Sequence, residues 1–259
     1  MHTSLTRIAF AALTLLAATA GSAAHAQATL NQSKALAGSV TPGDTAGFPV
    51  TLSVPGSYKL TGNLVVPAGL SGIEVTGSGV TLDLNGFNIS GPITCSRDAI
   101  TFAVTCSNFV ASNFGVALKG FGNTVRNGQV RGFAYGVQFY GADVAENLLV
   151  EQNAFYGVVG ANQSGARTLI RGVRSQLNGG AGFAVGDALV EGSTAASNGS
   201  DGFNLTRTVV LDSVAFNNKE VGFKGNNLGI GRSVAQGNKA GNIVSATSMG
   251  GNLNGNVPF

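Results

Sequence analysis

TLIRGVRSQLNGGAGFAVGD (residues 168–187), ALVEGSTAASNGSDGFNLTR (188–207) and TVVLDSVAFNNKEVGFKG (208–225) follow one another and repeat. Set one above the other, they place Asn178, Asn198 and Asn218 in one column, 20 residues apart. Four residues after each Asn stands Gly-Phe: Gly182-Phe183, Gly202-Phe203 and Gly222-Phe223. The same column continues upstream as Gly157-Val158, Gly136-Val137 and Gly115-Val116, and downstream as Gly241. The Gly-to-Gly spacings are 21, 21, 25, 20, 20 and 19. A period near 20 without a helical apolar pattern marks a solenoid. Within each unit apolar and polar residues alternate over short runs, as strands do. Units this short cannot close a core alone, so each must stack on its neighbours. The expected fold is all-β: a single-stranded right-handed parallel β-helix with coils of about 20 residues.

Stacking turns sequence columns into contacts, since adjacent coils lie about 4.8 Å apart. Phe183, Phe203 and Phe223 should form an internal aromatic stack, continued by Val116, Val137 and Val158. Asn178, Asn198 and Asn218, with Asn153 in register, should form an amide ladder that satisfies turn backbone groups. An outward column is expected to carry Arg126, Glu146, Arg171, Glu191 and Asp212, with Arg232 nearby. Alternating signs there read as an ion-pair ladder fixing register, or as a strip for a charged polysaccharide. Glu191 beside Asp212 would be its one like-charge contact, where two carboxylates invite Ca²⁺ but supply few ligands for it. No other cofactor is expected.

Composition narrows the function classes. The chain has 259 residues, 39 of them Gly, and only 10% are charged, which argues against helical bundles and against ordinary disorder. The net charge of +3 is too weak and scattered for nucleic-acid binding. Residues 1–26 read as a secretory signal: Arg7 precedes the apolar run Ile8–Ala18, and Ala24-His25-Ala26 supplies a cleavage pattern. That run is shorter than the roughly 20 residues a membrane span needs. Export to the periplasm or beyond is therefore expected. Cys95 and Cys106 then read most simply as a disulfide. Closing a loop of that size removes roughly 3 kcal/mol of unfolded-chain entropy in the loop-closure model.

Along the chain, residues 27–47 read as a lead-in without clear period and 48–245 as the β-helix. Within it, 91–113 break the period and carry the cysteines in a loop or lateral excursion. Residues 246–259 read as a C-terminal cap or tail. The runs GFPVTLSVPGSYKLTGNLVVP and GVTLDLNGFNISG, with the Asn-x-x-x-Gly-(Phe/Val) coils, resemble secreted bacterial parallel β-helix proteins of the pectate-lyase-like superfamily. The resemblance implies the fold. For activity it implies only a range, because that superfamily holds lyases, hydrolases, epimerases and non-catalytic members.

Chemistry is marked mostly by absences. Both histidines, His2 and His25, lie in the leader, so the remainder has no Ser-His or Cys-His nucleophile. Glu191, Asp212 and Arg171 are the candidate catalytic groups for a lyase-like enzyme, with Glu146, Asp143, Asp187 and Arg174 as further charges that coils could bring together. Tyr135 and Tyr156 each precede a repeat Gly, 21 residues apart, and should be outer neighbours. Tyr140, Phe133 and Phe155 lie close by. Aromatic rings on a flat face suit the apolar faces of sugars; the alternative is that they cover a turn or pack beneath the cysteine loop. The expected function is a non-catalytic exported scaffold that binds polysaccharide or a cell-surface polymer. Polysaccharide lyase and adhesive structural protein are the alternatives.

Overall fold

A computed structural model describes residues 27–160 and 167–258. The expected signal segment, 1–26, lies outside the described residues. The chain is a right-handed parallel β-helix of about ten turns. Each regular coil contributes to three sheets. The first stacks Val50–Leu52, Ile73–Val75, Phe114–Leu118, Tyr135–Phe139, Val158–Gly160 and Phe183–Gly186. The second stacks Gly56–Leu60, Val80–Asp83, the first half of Thr124–Arg131, the first half of Val144–Glu151, Thr168–Arg171 and Ala188–Glu191. The third holds Asn88–Ser90, the second halves of the two long strands, then Arg174–Gln176, Thr194–Ala196, Val214–Phe216 and Val234–Gln236. Phe203–Leu211 and Val221–Gly231 each run through the first sheet and into the second.

Corners are made by single left-handed residues. Between the second and third sheets stand Asn127 (φ 59°), Asn147 (φ 51°), Gly172 (φ 62°), Gly192 (φ 57°), Asp212 (φ 52°) and Arg232 (φ 47°). Gly and Asn fill most of them because they visit this region at least cost. The repeat Gly has a different reason. A Cβ on Gly182 would come within 2.7 Å of Asn198 Nδ2 and 2.8 Å of the Gly202 carbonyl. The corner packs too closely for any side chain.

The expected columns form. Phe183, Phe203 and Phe223 are fully buried, with ring centroids 4.6 and 4.7 Å apart and planes within 10°. Val116, Val137 and Val158 continue their register. The amide ladder runs Asn153–Asn178–Asn198–Asn218 and extends to Asn238. In it each Asn Oδ1 accepts the backbone N–H of the preceding Asn, at 3.0–3.2 Å. A second ladder, unanticipated, links Val173, Ser193, Ser213 and Ser233 through backbone N–H to hydroxyl bonds.

Two segments outside the regular coils have structure of their own. The stretch 27–47, expected as a lead-in, packs on the first coils. Ala28–Leu30 pairs with Tyr58–Leu60, and α1 (Gln32–Ala37), N-capped by Asn31, buries Ala35 in the core. A short amphipathic turn at the end of a solenoid covers strand edges that no coil pairs. The excursion is a β-hairpin, Thr94–Arg97 with Val104–Ser107, carrying the Cys95–Cys106 disulfide.

Candidate functional site

The Cys95–Cys106 hairpin leaves the coil stack after Gly91 and lies lengthwise across several coils. Ile93 N–H donates to the Gly132 carbonyl, both cysteine sulfurs approach the Asn153 carbonyl (3.8 and 3.9 Å), Arg97 donates to Asn217 O, and Lys239 donates to Thr101 O. Beneath it Gly179 and Gly199 replace larger residues: a Cβ on Gly199 would stand 3.1 Å from Val104 Cβ, and one on Gly179 3.3 Å from Cys106 Sγ. The hairpin thus covers the corners between the third and first sheets.

Beside it lies a row of rings. Phe114, Tyr135 and Tyr156 each precede the repeat Gly on consecutive coils. The Phe114 and Tyr135 rings stack at 5.3 Å and 20°, and Tyr135 and Tyr156 lie 6.0 Å apart, tilted 46°. Phe155 packs on Tyr135 at 5.4 Å and receives the edge of Phe109 at 5.2 Å. Phe109 comes from the chain leaving the hairpin, so the excursion completes the cluster at one side. Tyr156 (37%), Phe155 (39%) and Phe109 (46%) remain exposed. Offset rings at such separations attract by about 0.5–1.5 kcal/mol per pair beyond burial, which holds the row as a preformed surface.

Of the residues expected at a binding face, Tyr135 and Tyr156 meet. Tyr140 follows the far end of the strand Tyr135–Phe139 and does not join them. Phe133 is a correction: it is fully buried, its ring 3.0 Å from where a Gly115 Cβ would stand. It fills the corner from within rather than lying on the outer face. Phe114 was missed, although its place before Gly115 repeats that of Tyr135 before Gly136. Phe109 carried no signal, because the period is broken there.

The charged column is also corrected. Asp83, Arg126, Glu146, Arg171 and Glu191 are strand neighbours in register on the second sheet. Arg171 bridges Glu146 (3.6 Å) and Glu191 (3.1 Å), and Arg126 bonds Asp83 (3.2 Å). The partner of Glu191, however, is Leu211. Asp212 is the corner residue after it, in the left-handed conformation, and grips Arg232 at 2.6 and 2.7 Å. That guanidinium holds the Asp212 carboxyl below the usual carboxylate range. In place of the expected contact between Glu191 and Asp212, and the Ca²⁺ seat it suggested, Arg171 pairs with Glu191 and Arg232 with Asp212, and the Glu191 charge also reaches Arg232. Among the described residues no three His, Cys, Asp or Glu side chains group as metal ligands.

Next to this column an open cavity of about 700 Å³ is lined by Arg167, Leu169, Asp187, Leu189, Arg207 and Val209. Its charges are largely satisfied, since Arg207 makes a two-bond fork to Asp187 (2.8 and 2.5 Å) that lowers the carboxyl's pKa. Among the described residues no helix is long and apolar enough to cross a membrane.

No protein-family model matches the sequence, and none of the curated proteins matches it. Solved structures do. The chain is similar to the periplasmic alginate epimerase AlgG, with a TM-score of 0.55 and 13% identity over 81% of this chain and 55% of that one. It thus spans about half of that protein's length. It also aligns with the Dettilon tailspike protein (TM-score 0.44, 12% identity, 78% of this chain and 54% of that one). A third alignment is to the A-module of the Azotobacter vinelandii mannuronan C-5 epimerase AlgE4 (TM-score 0.41, 11% identity, 81% of this chain and 82% of that one). At 13% identity the likeness to AlgG is one of architecture, and it agrees with the register of the coils: the chain is a right-handed parallel β-helix.

Proposed function

We propose that the protein is an exported, non-catalytic β-helix scaffold that binds polysaccharide, or another surface polymer, along the coil face bearing Phe114, Tyr135 and Tyr156. One observation carries the reading: aromatic rings on three consecutive coils form a contiguous, partly exposed row. Coils rise about 4.8 Å each, so the row runs along the direction in which an extended chain would lie, and its partly exposed rings offer apolar surface there. Stacked rings present apolar area at little entropic cost, which suits sugar faces. The alginate epimerase to which the fold is similar is compatible with this class of ligand. An extracytoplasmic location is supported by the Cys95–Cys106 disulfide, because such bonds persist in oxidising compartments. A lyase would need free acid and base groups, whereas Glu191, Arg171 and Asp212 are held in ion pairs.

The test is a glycan array with wild type and Tyr135→Ala/Tyr156→Ala, whose folding is checked by circular dichroism. Binding should be present in the first and lost in the second. A wild type silent on the array overturns the reading. Release of unsaturated products from a polysaccharide, abolished by Glu191→Gln, would replace it with a lyase.

A further inference from the structure

The outer face of the second sheet carries an apolar stripe where strand alternation calls for polar residues. Facing inward, Ile170, Val190 and Val210 are fully buried in the core. One residue earlier on each strand, and so facing outward, Leu169, Leu189 and Val209 are neighbours in register. Val144 precedes them in the column and Gly229 follows. The solvated face of a sheet ordinarily shows polar side chains at such positions, and the next outward column does, with Glu146, Arg171 and Glu191. Here Leu189 is 37% exposed. At Gly229 the stripe meets Met249, whose Sδ lies 2.9 Å from where a Cβ on that glycine would stand. Leu169, Leu189 and Val209 line the open cavity of about 700 Å³, a size within the roughly 300–1,000 Å³ of small-ligand sites. Its charged members are Arg167, Asp187 and Arg207. The two-bond fork from Arg207 satisfies Asp187. Arg167 is exposed, and among the described residues it has no ion pair or side-chain hydrogen bond. Two arginines and one aspartate thus leave a single uncompensated positive charge beside an apolar trough.

We propose that this trough binds a long-chain fatty acid, its hydrocarbon along the stripe and its carboxylate on Arg167. A ligand with an apolar body and one negative charge matches a lining with an apolar column and one free cation. The length also fits. From Val144 to Gly229 the column spans roughly 19 Å at about 4.8 Å per coil, and one acyl chain fills about half of a bilayer's ~30 Å core. Other ligand classes meet a physical cost. Sugar hydroxyls or peptide amides laid on Leu169, Leu189 and Val209 would lose water without gaining hydrogen bonds. A polyanion would face Glu146 and Glu191 along the neighbouring column. An anionic membrane surface calls for a cluster of cations, and the trough has one to spare. The stripe lies on the second sheet, apart from the aromatic row, and does not depend on it.

The experiment is titration calorimetry of the whole protein with hexadecanoate below its micelle point, beside octanoate, methyl hexadecanoate and vesicles of anionic phospholipid. Hexadecanoate should bind with a negative heat-capacity change, the mark of apolar burial. Octanoate should bind far more weakly, and the methyl ester about tenfold more weakly, the loss expected for one charge-assisted contact. Arg167→Gln should weaken hexadecanoate about tenfold and leave the ester unchanged. Leu189→Asn, at a half-exposed position and with folding checked by circular dichroism, should weaken acid and ester alike. Arg171→Gln, which removes a paired arginine, should alter neither. Tyr135→Ala/Tyr156→Ala should also leave hexadecanoate binding in place, so this proposal and the polysaccharide reading fail separately. No binding of hexadecanoate, equal affinity for octanoate, affinity unaltered in Leu189→Asn, or equal affinity for acid and ester would each overturn the proposal. Binding to vesicles without binding to monomeric hexadecanoate would overturn it in favour of a membrane surface.

Discussion

Asn198→Ala should destabilise the solenoid far more than the removal of one small polar side chain suggests. The side chain has no exposure and makes four hydrogen bonds. Its Oδ1 accepts Asn178 N–H (3.2 Å) and Asn178 Nδ2 (3.0 Å). Its Nδ2 donates to the Ser175 carbonyl (3.1 Å) and to Asn218 Oδ1 (3.0 Å). At a net 1 kcal/mol each, the loss is about 4 kcal/mol, and the Asn178 N–H is left without its partner in the interior. Against a total stability of roughly 5–15 kcal/mol that is a large share. With a urea slope of about 2.5 kcal/mol/M it lowers the midpoint by about 1.5 M. Asn198→Asp sharpens the test. It keeps the acceptor for Asn178 but turns a second oxygen toward two acceptors, so the fold should raise that carboxyl's pKa. Stability of this variant is then highest where the group is protonated and falls as pH rises past the ordinary carboxylate range. It should approach wild type near pH 4 and be clearly weaker at pH 7.5. Equilibrium unfolding followed by circular dichroism at the two pH values reads both effects. A cost below about 1 kcal/mol for Asn198→Ala, or an Asn198→Asp deficit independent of pH, would refute the ladder as a source of stability.

Three further outcomes follow from the same geometry. Phe203→Ala should cost about 3–5 kcal/mol in denaturant unfolding, because Phe183 and Phe223 both lose a stacking partner, while Phe203→Leu should cost appreciably less. Asp143→Asn should stabilise the protein at neutral pH. Burial raises the Asp143 carboxyl's pKa, so the folded state binds the extra proton and stability declines as pH rises from the usual carboxylate value to the folded one. The variant keeps the acceptor for Asn123 N–H, and its thermal-melt advantage should shrink below the carboxylate range. Arg171→Glu places three like charges in succession along the second sheet, yet the pairs are half exposed. It should cost no more than about 1 kcal/mol, and the cost should fade in high salt.

In a solenoid, position modulo the repeat fixes which residues touch. Asn178 over Asn198, Phe183 over Phe203 and Tyr135 beside Tyr156 could therefore be read from spacing alone, as could the sheet-forming alternation. Translation by one coil is the only long-range operation required, and the sequence displays it. The same logic failed at Asp212, because a shift of one residue at a corner changes an outward strand position into a turn. Only the backbone conformation separates Leu211 from Asp212. It failed at Phe133 for a similar reason, since the corner before the repeat Gly points inward there. Two things lay beyond the repeat entirely. The hairpin at 94–107 contacts coils up to Lys239, a pairing that no period encodes, and it brings Phe109 to the aromatic row. The choice of Glu151 to bond Gln129 and Gln176 rather than Arg131 was likewise settled among side chains within reach of one another. The periodic chain determined the coil and its inner ladders, because those contacts are forced by stacking. The outer faces, where several partners compete at equal distance, were decided only by the tertiary packing.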